Sequence, residues 1–530
     1  MAIAASELIA GLTGAPSLLV AVGDLVIDLQ PPGAKDLMVS LFGTNDKLAL
    51  NLVVVAVAVV ISAVAGVLAS RRFWVGGAVF VAFGIVAAVA AARVPPASPL
   101  LGLLNAAIAV GAALVVLRLL LGLKRPATTE LGAAPGPATA EPGPTDGAAA
   151  PVDARPAAAA LDWPRRRFLI ATAGTLGGAI VVGGAGRALL DAAHPEGVVT
   201  SSKLPAAVGG IGGSSSLPVP AAGVPPLTAD ESLQVPGITP IVTANQDFYK
   251  IDTGLLTPHI DVATWKLHVT GMVDHPLTFT YDELLGMPLY EQYVTIACVS
   301  NRVGDNLVGN ALWTGVLLKD VLQAAGVQAG ATQVVGRSVD GFTVGFPTSW
   351  ALAPEREPMV VVGMNREPLP AAHGFPARLI VPGLYGYVSA TKWLSEIQLT
   401  TREAVDGYWI PLGWAKDGPI LTQSRIDVPE NGKHLAAGPA SIAGVAFAPD
   451  RGVTGVEVRI DGGDWQKART SQPISKATWV QWELPWSAAA GHHTIEVRAT
   501  DGTGTVQTDQ VTSPAPDGAR GHHTISVDVG

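Results

Sequence analysis

The sequence contains almost no cysteine and little charge. Of its 530 residues, one is a cysteine, Cys298, and 15% are charged. A lone cysteine cannot form an intramolecular disulfide, and the absence of CxxC, CxxCH and Cys/His clusters excludes iron–sulfur clusters, c-type haem and cysteine zinc sites. The net charge is −9 and no long Lys/Arg run occurs, so we expect no nucleic-acid partner.

Long apolar runs accompany the low charge. The chain is 49% hydrophobic and its mean hydropathy is +0.38, which indicates membrane segments. Leu48–Ala69, Phe73–Ala92 and Leu100–Leu121 are each long enough to span the hydrocarbon as a helix. A weaker run, Leu8–Leu29, predicts either a poor first span or a segment lying at the interface.

Basic residues between these runs predict the topology. Arg71-Arg72 and Lys124-Arg125 flank the clear spans and should be cytoplasmic. Further on, Arg165-Arg166, a variable residue and Phe168-Leu169 precede an apolar run, a pattern that resembles a twin-arginine export signal. Arginines that simply mark the inner side of a span are the alternative. Both interpretations place the chain after Leu190 on the extracytoplasmic side, with the segment kept as an anchor.

Composition divides the chain into segments of different character. We predict an α+β protein in which transmembrane helices precede a mixed α/β domain and a β-sandwich, because strands and short helices alternate without a βαβ rhythm and short, evenly spaced strands follow. The predicted segments are transmembrane helices over 1–125, an Ala/Pro linker over 126–164, a signal-anchor helix over 165–190, a Gly/Ser/Pro tether over 191–242, the mixed domain over 243–425 and the sandwich over 426–530.

Cys298 lies at a transition in the mixed domain. Val294–Ala297 before it has the β-branched pattern of a buried strand, and Asn301–Asn306 after it is a polar loop. Functional groups often occupy such a strand end. The alternative is a small buried hydrophobic residue.

The stretch Cys298–Gly315 resembles the sulfite oxidase family of molybdenum enzymes. Asn245–Lys250, Trp265–Gly271, the run His373–Arg378 (HGFPAR) and Val381–Leu394 extend the resemblance over nearly the whole chain after Thr243. It implies a molybdenum–molybdopterin cofactor. We expect no haem, because the sequence has no haem b domain of the kind that animal sulfite oxidases use, and no iron–sulfur cluster, because it has no cysteine cluster. It also implies that 426–530 is an immunoglobulin-like domain of the type through which family members form homodimers.

The resemblance implies roles for particular residues. Cys298 falls on the position of the single protein ligand to molybdenum, and thiolate is a soft donor that suits such metals. The remaining cofactor-binding candidates are Asn245, Tyr249, Lys250, Asn301, His373, Arg378, Ser389, Thr391 and Lys392. The other catalytic candidates, besides Cys298 and Lys250, are Arg302, Trp414 and Tyr408.

Three departures from sulfite oxidases weaken sulfite as the substrate. Lys250 replaces an active-site arginine, Val303 replaces a second arginine, and Trp414, with Tyr408 close by, aligns approximately with an active-site tyrosine. Losing planar bidentate donors weakens the recognition of a small oxyanion.

The sequence therefore predicts a multi-pass membrane protein whose catalytic domain is extracytoplasmic. We expect oxygen-atom transfer on a small sulfur-containing substrate, of the sulfite oxidation type, with electrons passing to an external carrier or the membrane quinone pool. Reduction of a sulfoxide or N-oxide is the alternative within the superfamily. A non-enzymatic sandwich module on a membrane anchor is a second alternative. A hydrolase is disfavoured because no GxSxG motif occurs.

Overall fold

The computed structural model describes residues 1–30, 46–93, 98–122, 162–193, a few positions between 204 and 210, and 227–530. Most of the predicted linker over 126–164 and of the predicted tether over 191–242 lies outside the described residues. So do Lys124-Arg125 and the side chains of Arg165-Arg166. The described residues divide into two compact units, one formed by Met1–Gly23 and Asn51–Ala193 and another that contains His194–Gly530.

The first unit is helical. Its helices are α1 (Ala2–Thr13), α2 (Leu18–Asp28, whose last residues belong to the other unit), α3 (Asp46–Arg71), α4 (Phe73–Ala91), α5 (Pro99–Gly122) and α6 (Asp162–Ala193). Within the described residues, α3 to α6 are long and apolar enough to cross a membrane.

The weak first run is not one straight helix. Helices α1 and α2 are bent by 104° at the break between them, as in a broken span or a re-entrant segment. Gly14 ends α1 in the left-handed conformation with φ 69°, and Pro16 cannot continue the helix because it lacks an N–H.

The second unit begins with the mixed domain. Its strands are β1 (Gly209–Gly210), β2 (Lys266–Gly271), β3 (Leu277–Thr280), β4 (Tyr290–Ala297), β5 (Val308–Leu317), β6 (Gln333–Ser338), β7 (Thr343–Pro347), β8 (Met359–Met364), β9 (Glu367–Pro368), β10 (Arg378–Ile380) and β11 (Leu394–Thr400). Its short helices are α7 (Tyr281–Leu285), α8 (Leu318–Ala325), α9 (Thr348–Ala351) and α10 (Gly386–Ser389).

These strands form two sheets. One has the order β1-β4-β5-β8-β10, with β9 paired to β8, and the other has the order β3-β2-β11-β6-β7. Strands β4, β5 and β8 are almost completely buried. The sequence of β8, MVVVGM, is correspondingly apolar throughout, whereas β4 and β5 also bury polar residues such as Gln292 and Asn310. One helix boundary differs from the apolar periodicity, which predicts a helix from Val316 onward. Val316 and Leu317 instead complete β5, where they pair with β8.

The C-terminal region consists of two further sheets. The strands are β12 (Gln423–Val428), β13 (His434–Leu435), β14 (Gly438–Phe447), β15 (Val453–Ile460), β16 (Gln466–Lys467), β17 (Arg469–Thr470), β18 (Val480–Ala488), β19 (Gly491–Asp501) and β20 (His523–Val529). Their orders are β12-β14-β18-β17 and β13-β20-β19-β15-β16, and residues from both sheets share one apolar core that includes Trp482, Val458 and Ile525. We call this region the sandwich.

Gly315 lies where β5 meets β8 at a register shift. A Cβ built on Gly315 would lie 2.2 Å from the Val360 carbonyl oxygen. We expect Gly315→Ala to lower the free energy of unfolding by about 1–3 kcal/mol, because backbone cannot move aside as a flexible side chain can. Urea unfolding followed by tryptophan fluorescence measures this.

Gly455 of β15 provides the matched control. It lies in a strand beside a register shift, but nothing lies within 4 Å of a Cβ built there. Gly455→Ala should leave stability unchanged or slightly raised, since alanine restricts the unfolded chain. Equal effects of the two substitutions would contradict the packing account of Gly315.

Candidate functional site

Cys298 follows β4 directly and is buried, with 8% of its surface exposed. Its amide donates to the Leu307 carbonyl at 2.9 Å, which adds one rung to the β4–β5 ladder, and its carbonyl accepts from the Asn301 amide at 3.1 Å. These bonds close the chain between Cys298 and Leu307 into a compact segment, the cysteine loop. The thiol is therefore held at the end of a rigid, buried strand pair.

A second segment brings two basic side chains to the same place. The Leu379 amide donates to the Thr391 carbonyl at 2.9 Å, so the chain around Arg378 lies beside the chain around Lys392. Gly374 permits this approach: its φ is 110°, and a Cβ there would lie 3.0 Å from the Lys392 Cα. The histidine-to-arginine run is thereby packed against the lysine that precedes Trp393.

Arg378 is a buried cation without an acidic partner among the described residues. It is 3% exposed and takes part in none of their ion pairs. Its Nη1 donates to the His373 carbonyl at 3.0 Å, while its Nε is buried without a hydrogen-bond partner. Burial lowers the pKa of Arg378 to about 10, an effect opposed by Tyr249, so the side chain stays charged at neutral pH. A buried guanidinium of this kind is a binding group for an anion.

The charge of Lys392, unlike that of Arg378, is balanced by a carboxylate. Its Nζ donates to Asp252 Oδ2 at 2.9 Å and to the Ala372 carbonyl at 3.0 Å. Both charged side chains of this pair are about nine-tenths buried.

His373 packs beside the segments that carry Arg378 and Lys392. Its Nε2 donates to the Asn245 carbonyl at 2.8 Å, and its ring meets Phe248 edge-on at 5.8 Å. Burial, followed by the charge of Lys392, lowers the pKa of His373 to about 3. The histidine is therefore neutral over the physiological range.

An open cleft of about 790 Å³, which includes space open to solvent, joins these groups. Five of the residues predicted from the sequence line it: Cys298, Tyr249, Arg378, Lys392 and Trp414. Much of the remaining wall is aromatic and comprises Phe248, Phe342, Tyr387, Trp393 and Trp409. Trp414 packs against Tyr387 with ring centroids 5.8 Å apart and against Trp409 at 6.4 Å.

Two carboxylates in the lining, Asp252 and Asp340, were not predicted from the sequence. Asp340 Oδ1 accepts from the Phe342 amide at 3.1 Å, but Oδ2 is buried without a partner among the described residues. Burial raises the pKa of Asp340. Val339-Asp340-Gly341 connects two strands, so its sequence indicates an ordinary turn, and only the fold reveals that the turn faces the cleft.

The other predicted residues do not line the cleft. Thr391 lies between two lining residues and has a buried Oγ1 without a partner among the described residues. Asn245 accepts from Asn365 Nδ2 at 2.8 Å, and Ser389 donates to the Tyr385 carbonyl at 2.9 Å, so both brace the walls.

The remaining four are Lys250, Arg302, Asn301 and Tyr408. Lys250 and Arg302 are exposed, whereas Asn301 is buried within the cysteine loop. Tyr408 packs on Phe342 at 5.8 Å, outside the lining. Of the two candidates for the active-site aromatic, the structure therefore places Trp414 in the cleft.

The region that forms the cleft is similar to known molybdopterin-binding proteins. Residues 254–409 match the family model described as Oxidoreductase molybdopterin binding domain. The chain is 29% identical to human mitochondrial sulfite oxidase over 317 residues, 51% of this chain and 58% of that protein. It is 34% identical to the uncharacterized oxidoreductase YuiH of Bacillus subtilis over 197 residues, 37% of this chain and 94% of that protein.

Among solved structures, the sulfane dehydrogenase SoxCD from Paracoccus pantotrophus covers 56% of this chain and 82% of its own, with a TM-score of 0.48 and 22% identity. The match to human sulfite oxidase covers somewhat more than half the length of that protein.

The neutral, buried His373 should make stability depend on pH. The unfolded chain takes up a proton near pH 6.5, whereas the native histidine does so only near pH 3. Stability is therefore lost as pH falls below about 6.5, and this residue should account for about 2 kcal/mol of the loss between pH 7 and pH 5. Urea unfolding of cofactor-free protein at the two pH values measures the effect.

His373→Gln should remove this part of the pH dependence, because glutamine can still donate to the Asn245 carbonyl but does not titrate. The matched control is His268→Gln, since His268 is exposed on β2. An unchanged pH slope in the His373 variant would contradict the assignment.

Proposed function

We propose that this chain, which belongs to the sulfite oxidase family of molybdopterin oxidoreductases, transfers an oxygen atom to or from a small sulfur-containing substrate. The reaction would take place in the cleft beside Cys298. The observation that carries the proposal is the buried guanidinium of Arg378, which has no acidic partner among the described residues and lies in the same cleft as the only cysteine of the sequence. A structural cation would be paired with a carboxylate, whereas a cation that receives an anionic cofactor has no need of one.

The chemistry of the unpartnered atoms fits molybdopterin. Arg378 would take the terminal phosphate through its Nε edge, which has no hydrogen-bond partner among the described residues. Asp340 Oδ2 would accept from ring N–H groups of the pterin. Cys298 would supply the thiolate ligand to the metal.

When bound, the cofactor supplies the two-electron redox chemistry of oxygen-atom transfer. The residues of this chain bind it, orient it and shape the access to it. The aromatic wall excludes water from one side of the cleft, and the Lys392–Asp252 pair keeps a fixed dipole at its edge. The sulfur of the substrate would approach Cys298 along the surface formed by Tyr387, Trp409 and Trp414.

The lining also favours a second candidate, reduction of a neutral S-oxide. Among the described residues, two basic side chains line the cleft: Arg378, which the proposal gives to the cofactor, and Lys392, which is paired with Asp252. Sulfite carries negative charge, and a site without a further cation binds it weakly. Aromatic rings instead suit the apolar substituents of a sulfoxide.

The helical unit supports a membrane location for this chemistry. Helices α3 to α6 would anchor the protein, the domain after α6 would be extracytoplasmic as the basic residues predict, and electrons would pass to or from an external carrier or the membrane quinone pool. The sandwich would be the immunoglobulin-like domain of the family, with dimerisation as its proposed role.

Metal analysis tests the cofactor proposal. Protein produced in a molybdopterin-competent host should contain about one molybdenum per chain, as a single thiolate ligand requires. Cys298→Ser should lose activity and most of the metal while unfolding at nearly the same urea concentration, since the side chains are almost equal in size. Fully folded wild-type protein without molybdenum would overturn the proposal.

Paired assays test the direction of the reaction. Loaded protein is supplied with sulfite and an artificial electron acceptor, and in parallel with a sulfoxide and a reduced dye. We expect faster turnover of the sulfoxide, and about tenfold slower turnover by Trp414→Ala through loss of an aromatic contact to the substrate. Faster turnover of sulfite, raised further by Lys250→Arg, would instead support sulfite oxidation.

A further inference from the structure

The cysteine loop is held from outside its own domain. Asn301 lies in the middle of the loop and is 2% exposed. Its Oδ1 accepts from the Leu307 amide at 2.8 Å, and its Nδ2 donates to Gln423 Oε1 at 3.2 Å. Gln423 is the first residue of β12, so this hydrogen bond joins the loop to the sandwich.

The chain of hydrogen bonds continues into the sandwich. Gln423 is 3% exposed, and its Nε2 donates to the Ala519 carbonyl at 3.0 Å. Because the Leu307 amide requires an acceptor and the Ala519 carbonyl requires a donor, the orientation of both side-chain amides is fixed. Neither amide can rotate without leaving a buried polar group unpaired, which costs more than the hydrogen bond itself contributes.

Two further contacts hold the other end of the loop. Arg425 Nη1 donates to the Asp305 carbonyl at 3.0 Å. The His523 ring covers Gly304, where φ is 91° and a Cβ would lie 2.3 Å from the ring. His523 is itself fixed, because its Nδ1 accepts from the Ile426 amide at 2.9 Å. Gly304, Asp305 and Asn301 are thus each held by a different residue of the sandwich.

We propose that the sandwich is a structural part of the catalytic site, and that Gln423, through Asn301, is a positioning residue that sets the position of Cys298. This inference rests on the proposed function for its meaning in catalysis. It goes beyond a dimerisation role, because the contacts lie within a single chain. Without these contacts from the sandwich, the printed hydrogen bonds within the loop itself would remain, among them those of Cys298 to Leu307 and Asn301 and that of the Leu307 amide to Asn301 Oδ1. We infer that the thiol would then sample positions unsuited to a metal ligand.

The test uses the fact that Cys298 is the only cysteine. In cofactor-free protein, the rate of alkylation by iodoacetamide under native conditions reports opening of this loop, because the thiol is buried when the loop is closed. Gln423→Met keeps the side-chain volume and removes both hydrogen bonds. We expect alkylation about tenfold faster than in the wild type, from the loss of buried hydrogen bonds.

Gln481→Met is the matched control. Gln481 is also buried in the sandwich and makes two hydrogen bonds, to the Leu233 amide at 2.6 Å and the Thr239 carbonyl at 2.7 Å, neither of them in the loop. Its substitution should lower stability similarly and leave the alkylation rate unchanged. A second variant is Arg425→Lys. Arg425 donates from three separate nitrogens to Asp427, to the Asp305 carbonyl and to Thr239 Oγ1. A lysine keeps the charge beside Asp427 but cannot make all three bonds from these positions, so the variant should speed alkylation severalfold.

Alkylation of Gln423→Met at the wild-type rate, or equal acceleration in Gln481→Met, would overturn the inference. Molybdenum content is measured separately in the same preparations. Metal-free wild-type protein that alkylates slowly would remove the proposed function and leave the positioning role intact. Wild-type protein that contains molybdenum, together with a Gln423→Met variant that is alkylated at the wild-type rate, would support the proposed function and overturn the positioning role. In loaded protein, Gln423→Met should also shift the Mo(V) electron paramagnetic resonance spectrum, which a general loss of stability would not.

Discussion

The hydrogen bond from the Cys298 amide to the Leu307 carbonyl is the constraint on which the site depends. It extends the β4–β5 pair by one rung, so the thiol sits at the end of a buried sheet instead of in a loose loop. Every other group of the site is arranged around that fixed point. The chain segments that carry Arg378 and Lys392 meet each other only because Gly374 allows a close approach.

Three of the buried polar atoms that lack a partner among the described residues lie in or beside this cleft. The Arg378 Nε, Asp340 Oδ2 and Thr391 Oγ1 are buried without partners among the described residues, and they lie in or beside one cleft. Each such group weakens folding, so their clustering indicates a polar ligand that satisfies them together. The aromatic wall beside them has the opposite character, so the cleft has a polar part and an apolar part. Under the proposed function, the polar part would receive the cofactor and the apolar part the substrate.

The sequence predicted those parts of the site that depend on short motifs. Cys298, Arg378 and Lys392 were found because each belongs to a recognisable run, and the strands around them followed from their apolar patterns. Asp340 and Gln423 were missed because each looks like an ordinary turn or strand residue. Their importance comes from contacts across the fold, which a single sequence does not contain. The bend between α1 and α2 could not be predicted either, because a weak apolar run is compatible with a membrane span and with an interfacial segment.

We infer that Cys298 is the protein ligand of a molybdenum in this cleft. X-ray absorption at the molybdenum K-edge of purified, loaded protein counts the sulfur ligands of the metal. We expect the dithiolene sulfurs of the pterin and one more sulfur in the wild type, and loss of that additional sulfur in the molybdenum that Cys298→Ser retains. An identical sulfur shell in the wild type and in Cys298→Ser would contradict it.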